Sequence, residues 1–360
     1  MTIWSRFAKW FGRSEDDALS IPPLDGKLKP NSRLDAAERL LHLPQIDNLA
    51  LDGARLICSS GDTLFSVDPA GWQTAPIRSF EGHITAVAVS PGGVLAVGVE
   101  GRGLEICAGG AWHSRNLGDA NGCITAALFR SENELLVTVG SRHHPWTEWK
   151  RDLMSRGASG GVVSVNIASG EARVVRDALA FPYGIEIAAN GELIVSESWR
   201  HRLLAMPPAG GLARVMLGEL PAYPARISPA SDGGFWLALF APRRQLTELV
   251  LREDDYRREM MATIAQESWI GPDFRDHANG DQPLQSGSVR QMGIMKPWAP
   301  SRSYGLVVHL DAQLQPVSSY HSRADGHMHG IASILEWDGH LYIAARGAGA
   351  LLRLPLEEMT

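Results

Sequence analysis

Cysteine is nearly missing from this chain: Cys58, Cys107 and Cys123 are an odd three in 360 residues, without metal-ligand spacing. That argues against a disulfide scaffold or a thiolate metal site. It fits a reducing, cytoplasmic setting, with Cys58 and Cys123 as buried thiols in apolar runs. Basic clusters are also scarce. Arg243-Arg244 is typical of the longest, and the formal charge is −6, so nucleic acid is not an expected partner. No apolar run is long enough to span a bilayer or to act as a signal peptide core. The chain has no G-x-S-x-G, no phosphate loop and no dinucleotide fingerprint, which removes the activated-serine esterase and the nucleotide-binding classes.

What is present is a repeated phrase. FPYGIEIAANGELIVSE, from Phe181 to Glu197, returns in looser form with its turn at Gly53, Gly93, Asn133, Gly233 and Gly339. Each copy is an alternating apolar run, a short polar turn and a second alternating run, which is a β-hairpin signal. A hairpin recurring at roughly 40-residue spacing matches one four-stranded propeller blade, whose apolar faces are buried only by stacking on neighbours. Six copies predict an all-β, six-bladed β-propeller of four-stranded antiparallel blades, covering residues 36–360. The chain ends are suited to closing the ring by pairing with each other.

Two segments stand outside the repeat. Residues 1–13 interleave Trp4, Phe7, Trp10 and Phe11 with Arg6, Lys9 and Arg13, which predicts a short amphipathic helix followed by a linker to residue 35. That helix would pack on the propeller or a partner, or contact a membrane surface peripherally. About residues 266–303, with Trp269 and Trp298, read as an insertion in blade five serving as a lid or mouth wall.

The opening GHITAVAVSPGG is superficially like a WD40 repeat, but no copy ends in Trp-Asp. Three other phrases carry a different likeness: FPYGIEIAANGELIVSES, LPAYPARISPASDGGFWLAL and SRSYGLVVHLDAQLQPVSSYHSRADG. From about Asp119 to Leu356 the chain resembles the strictosidine synthase-like family. That family belongs with the paraoxonases and senescence-marker/gluconolactonase lactonases among six-bladed propellers. The resemblance implies a site at one mouth of the central channel, on residues that open the inner strands.

Metal-dependent members of that group hold a calcium-like ion with a Glu and several Asn or Asp, oxygen ligands that suit a hard cation. In the repeat register the Glu position falls on Gln45 and the Asn opening blade three on Thr125. The Asn of FPNG falls on Tyr183, and the Asp-Asn pair of YPDN on Ala225-Arg226. With no carboxylate left and Arg226 adding positive charge, no metal and no other cofactor is expected at the centre. The catalytic Glu of strictosidine synthase itself falls on Ala332.

The remaining candidates follow from residue chemistry. Arg226 could clamp a substrate anion, or pair with Glu186 or Glu197. His327 and His329, alternating across Met328, are expected on one side as a general base or as ligands. Glu197 is either catalytic or a structural acceptor. His143, with His144, Trp146 and Trp149, follows the blade-three hairpin, and with His327 and His329 it could form a relocated imidazole metal site. Trp146, Trp149, Trp269 and Trp298 point to a partly aromatic small-molecule ligand. The expectation is therefore a metal-independent enzyme using acid–base chemistry by His329 or His327, for condensation/lyase or hydrolysis. The alternatives are a lactone or ester hydrolase with a relocated metal, and a non-catalytic binding or scaffold propeller.

Overall fold

The computed structural model describes residues 21–209, 211–275, 290–291, 294–295 and 301–359. The amphipathic segment 1–13 and Trp298 lie outside the described residues. Six four-stranded antiparallel sheets are arranged as blades, each in simple meander order except the last. Their innermost strands are Ile46–Asp52, Ile84–Val89, Ile124–Ser131, Pro182–Ile187, Ala222–Pro229 and Ile331–Trp337.

The hairpin turns explain the repeated small residue. Gly53, Gly93, Gly191, Gly233 and Gly339 take φ of 62°, 83°, 82°, 87° and 71°, a left-handed turn open to glycine without a Cβ penalty. Gly184, from the FPYG phrase, has a different task. A Cβ there would sit 2.7 Å from the Ala225 carbonyl oxygen and 2.8 Å from Arg226 Cα, so its absence lets blades four and five meet at the axis. Between blades the alternating apolar residues interlock. Ala126, Leu136, Val162 and Ile185, Leu193, Val195 form one such seam, joining blades three and four.

Blade six takes its outermost strand from the other end of the chain. Glu38–His42 pairs antiparallel with Ala350–Pro355, in the register Glu38↔Arg353 to His42↔Ala350. Before that strand, the chain runs along the outer edge of blade five. There Asn31 Nδ2 donates to the Ser319 carbonyl (2.9 Å), His321 N donates to Asn31 Oδ1 (3.0 Å), and Leu34 is fully buried. The stretch read as a linker thus covers an otherwise unpaired sheet edge.

Two excursions leave the blades. The polar, aromatic break in blade three folds into a 3-10 turn, Trp146–Glu148, and helix α1, Trp149–Met154. The blade-five insertion occupies the whole interval between strands Phe235–Pro242 and Gly305–Leu310, starting earlier than about 266. It opens with helices α2, Gln245–Arg252, and α3, Asp254–Thr263. The repeat alignment absorbs these residues into the blade, although the buried pairs Thr247/Val250 and Arg257/Met260 are each three apart, a helical rather than a strand spacing. Among the described residues no helix is long and apolar enough to cross a membrane.

Candidate functional site

The inner strands converge with matching registers at one mouth. Asp47, Thr85, Thr125, Tyr183 and Ala332 are each the second residue of their strand. Arg226 reaches across from blade five to all of them. Its Nη1 donates to Asp47 Oδ1 (2.5 Å) and to the Ala332 carbonyl (3.4 Å). Its Nη2 donates to the carbonyls of Thr85 (2.7 Å) and Thr125 (2.9 Å), and the guanidinium carbon lies 5.3 Å from the Tyr183 ring centre. One side chain therefore contacts all other blades at the axis.

This arrangement corrects two expectations. The ion-pair partner of Arg226 is Asp47, not Glu186 or Glu197. The inward position of blade one is also Asp47 rather than Gln45, so a carboxylate does remain at the centre. The strand is irregular there: Gln45 and Asn48 take φ of 57° and 55°, and the pairing register shifts between Asp47 and Ala50. Aligning on the hairpin turn carried that irregularity two residues the wrong way. Counting from the apolar residue that opens each strand, as in Ile46-Asp47, Ile84-Thr85, Ile124-Thr125 and Ile331-Ala332, would have found it.

Asp47 is buried and held from both sides. Arg346 Nη1 donates to its Oδ2 (3.0 Å), and its neighbour Asn48 N donates to Oδ1 (2.7 Å). Two guanidiniums on one carboxylate leave the axis positive, which favours an anionic ligand. A divalent cation does not fit among these residues. The carboxylate and carbonyl oxygens that would ligate it already accept from Arg226, and the cation would meet a like charge. Tyr183 is 2% exposed, and burial raises its phenol well above the usual tyrosine range. Its Oη has no protein hydrogen-bond partner.

Above the axis opens a cavity of about 390 Å³, lined by Gln45, Trp146, Trp149, Asp273, Phe274 and Arg346, among others. The Arg346 guanidinium lies 4.6 Å from the Trp146 ring centre and 5.3 Å from that of Phe274. Phe274 is delivered by the blade-five insertion. It stacks on Phe240 at 4.9 Å and meets Trp149 edge-on at 5.4 Å. Its carbonyl occupies a notch that Gly330 and Gly347 leave open; a Cβ on either would lie 2.3 or 1.9 Å from that oxygen. The segment is anchored by Asp273, which pairs with buried Lys150 (2.9 Å) and whose N–H donates to the Arg302 carbonyl (2.8 Å). The insertion thus forms a wall of the mouth.

His83, not among the candidates above, lies at this cavity's edge. It stacks on Trp146 at 4.9 Å, and Arg346 Nη2 lies 3.2 Å from its Nε2. Burial, then the Arg346 charge, lowers its pKa to about 4, so the imidazole is neutral and accepts from the guanidinium.

The other candidates are dispersed. His329 is 3% exposed, with Nδ1 at 2.8 Å from Ser303 Oγ and Nε2 at 2.8 Å from the Arg323 carbonyl. His327 is exposed, its N–H donating to Asp35 Oδ1 (2.8 Å). The expected alternation fails because Met328 is itself buried and the segment is an irregular turn, so the two imidazoles separate. His143 is exposed, and His144 lies 3.5 Å from Glu148. Among the described residues no group of three His, Cys, Asp or Glu side chains is placed to hold a metal, so the relocated imidazole site does not assemble. Glu197 is fully buried and accepts from Ala180 N (2.7 Å), Arg200 Nη1 (3.0 Å) and Arg202 Nε (2.5 Å), as a structural acceptor does. Thr125, also buried, donates to the Pro182 carbonyl (2.6 Å) and offers its own carbonyl to Arg226.

No family model matches the chain. Its homologues are adipocyte plasma membrane-associated proteins and a strictosidine synthase-like protein. The adipocyte plasma membrane-associated protein of Salmo salar is 25% identical, over 95% of this chain and 83% of that protein. A strictosidine synthase-like 8 protein of Arabidopsis thaliana is 30% identical over 115 residues, 31% of this chain and 30% of that one. Among solved structures, a gluconolactonase from Xanthomonas campestris superposes with a TM-score of 0.56 at 13% identity, covering 90% of this chain and 91% of that one. That likeness establishes the fold. The relatives and fold neighbours include propellers named as enzymes.

Proposed function

We propose that this chain, whose homologues are strictosidine synthase-like propellers, is a metal-independent enzyme acting on a small aromatic acid, or an ester or lactone of one, at the propeller mouth. The observation that carries the reading is the Arg226 guanidinium on the axis, taking up the oxygens a divalent cation would need. Arg346 supplies the charge that orients the anionic group, and Trp146, Trp149 and Phe274 supply flat apolar walls for the ring. His83, stacked on Trp146 at the rim of this cavity, takes the proton-transfer role first considered for His329 and His327.

Thermal-shift screening of chelator-treated protein against aryl carboxylates, aryl esters, lactones, aldehydes and amines identifies ligands by mass action. Turnover of a hit that survives chelation and drops about tenfold or more in Arg346→Lys supports the proposal. Turnover that requires added calcium overturns it. Binding without turnover leaves a second reading, a ligand-binding propeller. That reading is favoured by one observation: both Asp47 oxygens and both His329 nitrogens are already engaged within the protein.

A further inference from the structure

Arg346 lines the mouth cavity, pairs with Asp47 at the axis and touches His83, and these contacts have a direction. A guanidinium carries only donors, so in the 3.2 Å contact with Arg346 Nη2 the His83 Nε2 must be the acceptor. The neutral imidazole therefore holds its proton on Nδ1, and its one basic lone pair points at Arg346. While that contact lasts, His83 has no nitrogen with which to take a proton. The base is covered by the very residue that meets the charge of a ligand.

Of the two partners, Arg346 is the one built to move. The His83 backbone is fixed: its carbonyl accepts from Glu100 N (2.9 Å), and a Cβ on the preceding Gly82 would lie 2.6 Å from the Glu100 carbonyl oxygen. Its ring is stacked on Trp146 at 4.9 Å, 18° from parallel. Arg346 holds Asp47 through Nη1 and His83 through Nη2, so the second contact can be given up with the first intact. A guanidinium bonds an anion more strongly than it bonds a neutral imidazole, because both partners are then charged. Burial, then the Arg346 charge, hold the His83 pKa down to about 4, against Asp47 and Asp62 of blade one, which favour the protonated ring. Compensating the Arg346 charge tips that balance toward protonation.

We propose that an anionic ligand at the mouth draws the Arg346 guanidinium off His83 and so frees Nε2 as the base, which stays masked until the ligand arrives. The inference rests on the reading of the mouth given above and adds its regulation. The Arg346 Nη2–H leaves the imidazole nitrogen for a ligand oxygen, and Nε2 then takes a proton from the ligand or from water. By linkage, ligand binding and protonation of His83 reinforce each other.

Imidazole nitrogen NMR on the isotope-labelled full chain tests this, with the His83 signals assigned through His83→Gln. The free protein is expected to show His83 protonated on Nδ1 alone, down to about pH 4. Saturation with benzenesulfonate, an aryl anion that stays ionised across the titration, moves the midpoint from about 4 to about 5 or higher, at least a tenfold gain in proton affinity. Benzyl alcohol, which brings the ring without the charge, leaves the midpoint in place. Arg346→Gln raises the midpoint without any ligand, and benzenesulfonate then adds nothing. A free protein with the His83 proton on Nε2 overturns the proposal. So does bound benzenesulfonate that leaves the midpoint unmoved, and so does a chain that benzenesulfonate fails to saturate. Each of these failures leaves the mouth reading standing, since that one is decided by turnover.

Discussion

Arg226 Nη1 lies 2.5 Å from Asp47 Oδ1, joining blade five to blade one across the propeller axis. Arg226→Met leaves Asp47 paired with Arg346 alone and the carbonyls of Thr85 and Thr125 without their donor in a largely buried setting. Arg226→Met is expected to cost about 3–5 kcal/mol in denaturant melts. A thermodynamic cycle with Asp47→Leu, which also takes the carboxylate from Arg346, measures the coupling between Arg226 and Asp47.

Calcium provides a separate check on the axis. Millimolar calcium is expected to leave the melting temperature unchanged within about 1 °C. A micromolar site would instead add about 4 kcal/mol at a thousandfold excess of ion. A saturable rise in melting temperature means that the guanidinium does not hold the centre.

Gly184→Ala presses a methyl group against the backbone of Ala225 and Arg226, which has no flexible end to give way. A loss of about 1–3 kcal/mol is expected from this overpacking. Gly71→Ala, whose nearest neighbour would be Gln73 Cγ at 3.9 Å, serves as a control and stays within about 0.5 kcal/mol of the parent. Equal losses at both positions contradict the close approach of blades four and five.

Glu186 gives the protein an unusual pH response. Burial raises its pKa from 4.5 to about 7, offset only by the Ile187 N–H. The folded state therefore holds a proton that the unfolded chain releases from pH 4.5 upward. Its stability contribution is intact below that value and is lost as pH climbs to 7, by about 3 kcal/mol in total. Glu186→Gln removes this falling limb. Urea melts are expected to show the variant gaining on the parent between pH 5 and pH 8, and parallel profiles disprove the assignment.

His329 and His327 are expected to separate on substitution. His329→Ala leaves Ser303 Oγ and the Arg323 carbonyl short of a buried partner and costs about 1–3 kcal/mol in stability. His327→Ala, at an exposed turn, changes stability by less than about 0.5 kcal/mol. If instead turnover collapses in His327→Ala with stability intact, that imidazole belongs to the chemistry.

The blades were legible because a hairpin writes its geometry locally, as an apolar alternation and a turn glycine, six times over. The axis was half legible. Thr125 and Tyr183 could be placed because they stand eight residues before the turn residues Asn133 and Gly191, whereas Asp47 stands only six before Gly53 and was hidden by the left-handed residues Gln45 and Asn48. Arg346 and His83 carried no signal of their own. Their roles come from contacts between residues far apart in the chain, such as Arg346 Nη2 with His83 Nε2, which no single repeat contains. Helices α2 and α3 were overlooked for the opposite reason: a search tuned to alternation passes over a 3.6-residue period.

The strand shared between the two ends of the described chain also sets the order in which the molecule can be assembled. Glu38 meets Arg353, a partner 315 positions away, so the circle cannot be clasped until Arg353 has emerged from the ribosome. Until then, blade six lacks its outer rail and leaves a bare edge on Ala350–Pro355, open to the wrong strand from another copy. Once clasped, a single nick in an outer loop leaves the circle fastened, whereas trimming through Glu38–His42 undoes it.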